Sequence, residues 1–404
     1  MIRSNARLAK RAFIAIHIGL AAGFAIAFLR NLLTPDGVVA TDFTVFWTGW
    51  WLILHGGGAT LYDVAAQRDT QQMLMGGAQF QGGLMAFLNP PHAALAGVPF
   101  GWLAEHAGER AAFFAWIVAN AALLVTLDRW LREAWGATSG PARWIMTSAL
   151  VAFYPVMATI GNGQTSLLLA VGVLGVYRSV EASRPRDAGA WLLALSVKPQ
   201  LMPAILVFLV ARRCWRALAY AAAMFAAAAL VTAVCLGPAI WIDYVRHVGD
   251  LEHFFGTGTP EHMLNVRGAL TRVAGAGNQA PIDAAAFFIW TAATLFVALV
   301  LSRRRIHDQR DARRSYAFAA AVALLASPHV FIQDAVVWVV PLVLYAAALR
   351  DAGERWQPFA AFALCWPVLF AVARRIDLAG GTVPTLAIDP AVIALVVATV
   401  VISA

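Results

Sequence analysis

Charged residues are scarce in this sequence. They make up 13% of its 404 residues, whereas hydrophobic residues make up 61%, and the mean hydropathy is +0.69. A water-soluble domain carries about 25% charged residues, so this chain has too few to cover a water-facing surface. The composition predicts an all-α polytopic membrane protein. The net charge of +8 then indicates the positive-inside bias of membrane loops, and we expect no nucleic-acid partner.

The motifs of several enzyme classes are also missing. There is no Gly-x-x-x-x-Gly-Lys-Ser/Thr phosphate loop, no His-Glu-x-x-His and no Cys-x-x-Cys. The three cysteines, Cys214, Cys235 and Cys365, lie in or beside apolar stretches, and an odd number so placed argues against a disulfide framework. The histidines of 237–283 lack metal-ligand spacing. We therefore expect no metal site and no bound cofactor.

Long apolar runs are what the sequence has instead. Four basic residues precede the run Ala12 to Leu29, which is long enough to cross a hydrocarbon core of about 30 Å, so we expect a retained first span with a cytoplasmic N-terminus. Further runs cover 111–127, 144–160, 165–177, 188–197, 199–211, 217–236, 284–302, 315–327, 330–349, 356–373 and 386–404. Several are too short to span, which predicts half-helices meeting at breaks. We expect a single integral membrane domain over 1–404 with about 12 crossings, and the segment 84–104 could either dip into the membrane or cross it.

The polar breaks between these runs share one side of the predicted topology. A layout that keeps most of the 30 basic residues on the cytoplasmic side puts them all on the outer face; they are 30–110, 161–164, 198–200, 237–283 and 327–329. The hypothesis is a multi-pass cell-membrane protein with its active site on the outer, periplasmic face. The loop 30–110 would carry the catalytic residues on juxtamembrane helices, and 237–283 would be a second large outer loop.

Asp42 is the candidate catalytic carboxylate. It follows the first span and precedes a run of aromatic residues that includes Phe43, Phe46 and Trp47. Ionisable groups at the membrane boundary are candidates for function. The alternative is a solvated loop charge, or an N-cap for the helix that follows.

Lys198 is the candidate phosphate ligand. It is one of only two lysines among the 30 basic residues, and it lies between apolar runs immediately before Pro199. A buried ammonium needs an anion or a water-filled cavity, and lysine binds phosphate as a compact point charge. The alternative is a lysine that marks a helix end and snorkels to water.

Four further polar residues lie at outer breaks. Asn162 and Gln164 are flanked by glycines, which let a backbone approach a ligand closely, although Gly-Asn-Gly is also an ordinary turn. His329 follows Pro328, and His92 follows Asn89-Pro90-Pro91. Each histidine could bind substrate, with a capping or core role as the alternative.

These motifs, in this order, resemble glycosyltransferase family 87. The matching segments are Asp42-Phe43 with Phe46 and Trp47, Leu61-Tyr62-Asp63, Asn89-Pro90-Pro91, Gly161-Asn162-Gly163-Gln164, Lys198-Pro199-Gln200 and Ser327-Pro328-His329. The family more often has Tyr-Pro-Pro where this chain has Asn89-Pro90-Pro91. The similarity covers roughly 40–340 and implies the C-type multi-span glycosyltransferase fold.

The resemblance implies an inverting transferase of the outer membrane face. The donor would be a polyprenyl-phosphate sugar, typically mannose, and the acceptor a lipid-linked or cell-envelope glycan, with membrane lipids as surroundings. Asp42 would be the general base. The substrate-binding residues would be Lys198, His329, Gln164, Asn162, Gln200, His92 and Tyr62.

Two other classes fit parts of the pattern. Broken helices and an intramembrane lysine are also typical of a secondary transporter with a midplane site. The sequence shows no inverted repeat, because the long outer loops have no partners on the inner side. A non-catalytic scaffold subunit would leave Lys198 without a role.

Overall fold

The computed structural model describes residues 2–34, 36–77, 80, 83–249, 263–275, 279–304, 306, 308–357, 365 and 368. These ranges form 16 α-helices: α1 Ile2–Leu32, α2 Phe43–Leu54, α3 Val64–Leu74, α4 Pro91–Ala107, α5 Glu109–Trp135, α6 Gly140–Ala152, α7 Tyr154–Gly161, α8 Ser166–Glu181, α9 Pro185–Leu195, α10 Met202–Ala211, α11 Trp215–Leu236, α12 Ile240–Gly249, α13 Val266–Ala274, α14 Gln279–Arg303, α15 Gln309–Ala326 and α16 Val339–Asp351. Short 3₁₀ helices cover Gly58–Thr60, Pro199–Leu201 and Ile332–Trp338. Within the described ranges there is no β-strand, so the all-α prediction is confirmed for them.

Five of the helical segments are long and apolar enough to cross a membrane. They are Lys10–Arg30, Glu109–Trp135, Trp215–Leu236, Gln279–Arg303 and Ile332–Asp351. Helices α6 and α7 together make a sixth if the 51° bend between them is a break inside one span. These helices confirm a membrane protein with several spans. The total of 12 and the C-type arrangement stay predictions, because 356–373 and 386–404 lie almost wholly outside the described residues.

The shorter apolar helices are buried inside the protein. Helices α8 and α15 are buried along most of their length, and with α10 and α16 they form the largest hydrophobic core. A helix that is apolar on all sides is stable only where other elements cover it. The runs 188–197 and 199–211 form α9 and α10, and the chain between them breaks at Ser196–Lys198. This break brings polar residues to the end of the core.

A second core of aromatic rings surrounds α2, the first helix after α1. Trp50 of α2 packs on Phe43 and Trp116, with ring centroids 5.5 and 5.4 Å away. Its indole lies against Gly97 and Gly101 of α4, where an added Cβ would come 2.0 and 2.6 Å from Trp50 atoms. Only glycine lets α4 approach α2 this closely, so the two helices hold the loop that follows α1 in one place.

Side chains of α3 hold the segment before α4. Gln71 accepts from the Met85 amide and donates to the Met85 carbonyl, both at 3.0 Å, and Gln67 accepts from the Phe87 amide at 2.8 Å. The Asn89 side chain then donates to the Val197 carbonyl at 3.0 Å. This chain of hydrogen bonds ties α3 and the segment before α4 to the break that contains Lys198.

Ion pairs gather at the opposite end of the same helices. Arg178 of α8 pairs with Glu133 of α5 at 2.7 Å, and Arg313 of α15 pairs with Asp351 of α16 at 2.7 Å. Helix α8 has 16 residues, so its two ends lie about 24 Å apart. The bundle therefore carries polar groups at two separate levels with an apolar zone between them.

Candidate active site

Four segments that are distant in the chain meet at one end of the bundle. They are the start of α2, the turn between α7 and α8, the break before the 3₁₀ helix Pro199–Leu201, and the segment 327–334. Hydrogen bonds join them directly: Gln164 to Asp42, and both Ser166 and Lys198 to Asp334. These contacts join residues 122, 168 and 136 positions apart, so they arise only in the folded bundle.

Asp42 stands at the N-cap position of α2 without capping it. Its side chain makes no capping hydrogen bond, and Oδ2 accepts from Nε2 of Gln164 at 2.7 Å. The structure thus gives this carboxylate a partner in another segment. Burial raises the pKa of Asp42 above its usual range, while the Gln164 hydrogen bond and the charge of Lys198 act in the opposite direction.

Gly163 allows the turn to sit on α2. Its φ is +71°, and an added Cβ would lie 2.7 Å from Cβ of Phe43. A side chain at this position would meet both backbone strain and a clash. The glycine therefore sets the distance between Gln164 and Asp42.

Lys198 and Asp334 form a buried ion pair. Nζ lies 2.7 Å from both carboxylate oxygens, and the side chains are 11% and 1% exposed. Oδ1 of Asp334 also accepts from the Ser166 hydroxyl at 2.6 Å, and Oδ2 accepts from the Phe331 amide at 3.0 Å. Two hydrogen bonds besides the ammonium therefore hold Asp334 as a carboxylate.

His329 lies beside this pair. Burial and the positive charges of Lys198 and Arg267 lower its pKa, so the ring is neutral at neutral pH. The ring packs edge-on against Phe331, and it makes no hydrogen bond within the described residues. Its nitrogens are available to a ligand.

The other predicted binding residues lie outside this cluster of hydrogen bonds. The hydroxyl of Tyr62 donates to the Asn89 carbonyl at 2.7 Å, and Nε2 of His92 lies 2.8 Å from the Ser196 hydroxyl. Both side chains support the segments that lead to Lys198. The side chains of Asn162 and Gln200 make no hydrogen bond in the part of the chain that the structure describes.

Two contacts of the site were not predicted from the sequence. Gln164 was predicted to bind substrate, and its amide donates to Asp42 in the structure. Asp334 was not among the predicted site residues, yet it is the partner of Lys198. The signal for Asp334 was an isolated acid in an apolar run, and a lone intramembrane lysine requires such a counter-ion.

The described residues contain no candidate metal site. No group of three or more His, Cys, Asp and Glu side chains is arranged there to hold an ion. The charged groups of the site instead pair with each other or with amides and hydroxyls. The site is an assembly of one tethered carboxylate and one ion pair, which suits an anionic ligand and a proton transfer.

Comparison with known proteins gives the site a context. Residues 87–328 match the model of glycosyltransferase family 87. Over 360 residues the chain is 28% identical to the polyprenol-phosphate-mannose-dependent alpha-(1-2)-phosphatidylinositol mannoside mannosyltransferase of Mycolicibacterium smegmatis, covering 79% of this chain and 75% of the relative. No solved structure matches. The family match covers more than half of the chain and includes Lys198 and the Gly161–Gln164 turn, and the protein therefore belongs to glycosyltransferase family 87.

Proposed function

We propose that this glycosyltransferase moves a mannosyl residue from a polyprenyl-phosphate donor to a lipid-linked or cell-envelope glycan acceptor, with inversion, at the outer face of the cell membrane. The relative's name supplies the donor class and a glycolipid acceptor. The observation that carries the chemistry is the Asp42 carboxylate, held by Gln164 close to the Lys198–Asp334 pair. Family membership favours this reading over the secondary transporter.

Asp42 acts as the general base. Oδ2 is tied to Gln164, and Oδ1 has no hydrogen-bond partner among the described residues, so one oxygen is oriented and the other can take a proton. A raised pKa brings the carboxyl closer to the working pH, which makes it a better proton acceptor.

The reaction needs only this one carboxylate. The acceptor oxygen bonds to the anomeric carbon as the bond from that carbon to the phosphate oxygen breaks. The bonding electron pair stays on the phosphate, and the acceptor proton passes to Asp42. A phosphate group has a second pKa near ~6, so its departure requires little protonation, whereas the alcohol leaving group of a glycosidase substrate requires a second carboxyl group as acid.

Lys198 and His329 bind the donor phosphate. The ammonium has three N–H groups and keeps a small exposed fraction beyond its contact with Asp334. The neutral His329 ring adds a hydrogen-bond donor without adding charge. Gln164 is a positioning residue for Asp42 in this scheme.

The two polar levels of the bundle support the outer-face location. Arginines are abundant at the level of the ion pairs, as cytoplasmic loops require. The site lies at the other end of α8. The enzyme would then use a lipid-linked donor on the side of the membrane where nucleotide sugars are absent.

The test is transfer from radiolabelled polyprenyl-phosphate-mannose to a lipid extract by the purified protein. Asp42→Asn keeps the shape of the side chain and removes the base, so turnover should fall at least ~10²-fold while donor binding persists. Asp63→Asn is the matched control, because Asp63 caps α3 through the Ala66 amide at 2.7 Å and asparagine caps equally well. Near-normal turnover of Asp42→Asn would refute Asp42 as the base, and no transfer by the unmodified protein would refute the donor.

A further inference from the structure

Asp334 has no oxygen left for a substrate. Both oxygens contact the Lys198 ammonium, Oδ1 also accepts from Ser166 and Oδ2 from the Phe331 amide. The side chain is buried almost completely. A carboxylate so occupied neither receives the acceptor's proton nor touches the donor. Any influence on the reaction passes through Lys198.

Among the residues that the structure describes, the charged groups around Lys198 carry no positive excess. Asp334 lies against the ammonium, and Asp42 and His329 are close enough for the charge of Lys198 to affect their pKa values. His329 is neutral, and the next cation, Arg267, is itself paired with Asp283 at 2.6 Å. With both Asp42 and Asp334 ionised, this described group holds two negative charges against the one positive charge of Lys198. In the proposed phosphate site, the charge of Lys198 is therefore neutralised by Asp334.

The donor and the product differ in charge at the phosphate. The donor of the proposed function is a phosphodiester with one negative charge. The lipid phosphate left after transfer is a monoester, which approaches two negative charges above its second pKa near ~6. A lysine without a counter-ion attracts the dianion more strongly than the monoanion, because the attraction grows with the charge of the phosphate. Such an enzyme would hold its product more tightly than its donor.

We propose that Asp334 is a positioning residue that keeps Lys198 as a neutral pair, so that the site binds a singly and a doubly charged lipid phosphate almost equally and releases its product. This inference rests on the proposed function, because Lys198 must be the phosphate ligand. Asp334 then sets the selectivity between donor and product, while Lys198 supplies the contact.

Asp334→Asn tests this role with little change of shape. Its amide oxygen can replace Oδ2 and accept from the Phe331 amide, and its NH₂ group can replace Oδ1 and donate to the Ser166 hydroxyl, which is free to rotate. The ligands are a polyprenyl monophosphate and its methyl ester, which share one prenyl chain and differ by one charge at pH 7.5. Their dissociation constants are measured on the purified protein at pH 7.5 and 5.5.

The ratio of the two dissociation constants is the readout. The unmodified protein should bind both ligands within about threefold of each other at either pH, because the neutral pair gains little from a second charge. Asp334→Asn should prefer the monophosphate by roughly 10-fold or more at pH 7.5. That preference should shrink at pH 5.5, where the monophosphate loses its second charge. The same series in an Asp42→Asn background removes the other carboxylate whose charge Lys198 affects.

Asp128→Asn is the matched control. Asp128 pairs with Arg132 at 2.8 Å and accepts from the Thr147 hydroxyl at 2.9 Å, and the charged side chains are 14% and 13% exposed. It has the same kind of partners as Asp334 but lies in the second half of α5, away from the site. Its loss should lower stability and leave the ratio unchanged.

Each outcome decides a different point. An unchanged ratio in Asp334→Asn overturns the proposal, and so does an unmodified protein that already prefers the monophosphate strongly at pH 7.5, which is decisive even if the variant does not fold. Lys198→Met separates the proposal from the function beneath it. If that variant binds both phosphates normally, Lys198 is not the phosphate ligand. Its role in the proposed function is then wrong, and so is the role of Asp334. If it weakens both while Asp334→Asn leaves the ratio unchanged, only the role of Asp334 falls.

Discussion

At the scale of single residues, the hydrogen bond from Gln164 decides the pH at which Asp42 becomes a base. The reaction needs the carboxylate, so kcat/KM should fall as the pH drops through the pKa of Asp42. Burial raises that pKa and the Gln164 bond lowers it. Gln164→Leu removes the lowering contribution, so the acid limb of the profile should move to higher pH. The measurement is kcat/KM against pH for both proteins, with native donor and acceptor.

The direction of that shift is the critical part. A limb that stays in place while kcat/KM falls uniformly would mean that Gln164 contacts the substrate and does not tune the base. The shift between the two proteins is the diagnostic quantity, because burial and nearby positive charge lower the pKa of His329 to about 4, close to the ordinary aspartate range. A limb that Gln164→Leu does not move, at the ordinary aspartate position near ~4, would contradict the raised pKa of Asp42.

The sequence predicted those site residues that differ in type from their surroundings. Lys198 is conspicuous because lysine is rare in this chain, and Asp42 because aromatic residues surround it. Asp334 and Ser166 were missed. Asp334 stands out in the sequence only as an acid in an apolar run, and its distances of 136 positions from Lys198 and 168 from Ser166 conceal the pairing. The sequence also could not predict the hydrogen bond from Gln164 to Asp42, because an amide can donate to a phosphate or to a carboxylate.

At the scale of elements, the turn between α7 and α8 depends on the absence of a side chain at one position. Gly163→Ala would place Cβ against Phe43 and impose a left-handed φ of +71° on alanine. We expect the turn to move off α2, which separates Gln164 from Asp42 and lowers turnover at least ~10-fold through the misplaced base. Gly56→Ala is the control, because its φ is +75° and nothing lies within 4 Å of an added Cβ.

The two variants together separate the effect of the clash with Phe43 from the effect of the left-handed backbone, because only Gly163→Ala has the clash. Both should lose about 1 to 2 kcal/mol of stability from the left-handed backbone, measured as the shift in thermal unfolding of the purified protein in detergent. Only Gly163→Ala should also lose activity. Equal turnover of the two variants would show that the approach of the turn to α2 does not matter for catalysis.

Long apolar runs predicted helices well, and breaks and contacts were harder to predict. The run 217–236 became α11 and 284–302 became the centre of α14, because an uninterrupted apolar stretch has no better structure in a membrane. The apolar run 144–160 divides into α6 and α7, which bend at Phe153, where Pro155 enters the first turn of α7. The glutamines of α3 that hold the segment before α4 left no periodic signal, since their partners are backbone groups.

At the scale of the whole molecule, the two polar levels of the bundle predict opposite accessibility. In a protein whose own cysteines are replaced by serine, Ser139→Cys and Ser183→Cys lie at the level of the ion pairs, and Met73→Cys lies on α3, where Met73 is 52% exposed. We expect a membrane-impermeant maleimide to label position 73 in intact cells. Positions 139 and 183 should label only after the membrane is permeabilised.

Labelling of position 139 or 183 in intact cells would show that the protein has the opposite orientation in the membrane. It would also move the site to the cytoplasmic side and remove the outer-face acceptor from the proposed function. The segment 237–283 offers a less useful probe, because 250–262 and 276–278 lie outside the described residues.

The order of the segments along the chain also has a consequence for biogenesis. Lys198 leaves the ribosome 136 residues before Asp334, which at synthesis rates of 5 to 20 residues per second corresponds to roughly 7 to 27 seconds. During that interval the lysine enters the membrane without its counter-ion. The nascent chain must keep the ammonium hydrated, or within the insertion machinery, until the last part of the bundle arrives. The ion pair that neutralises the finished site is thus also one of the last contacts available to close it, and a chain that stops after α14 carries Asp42, Gln164 and Lys198 but no assembled site.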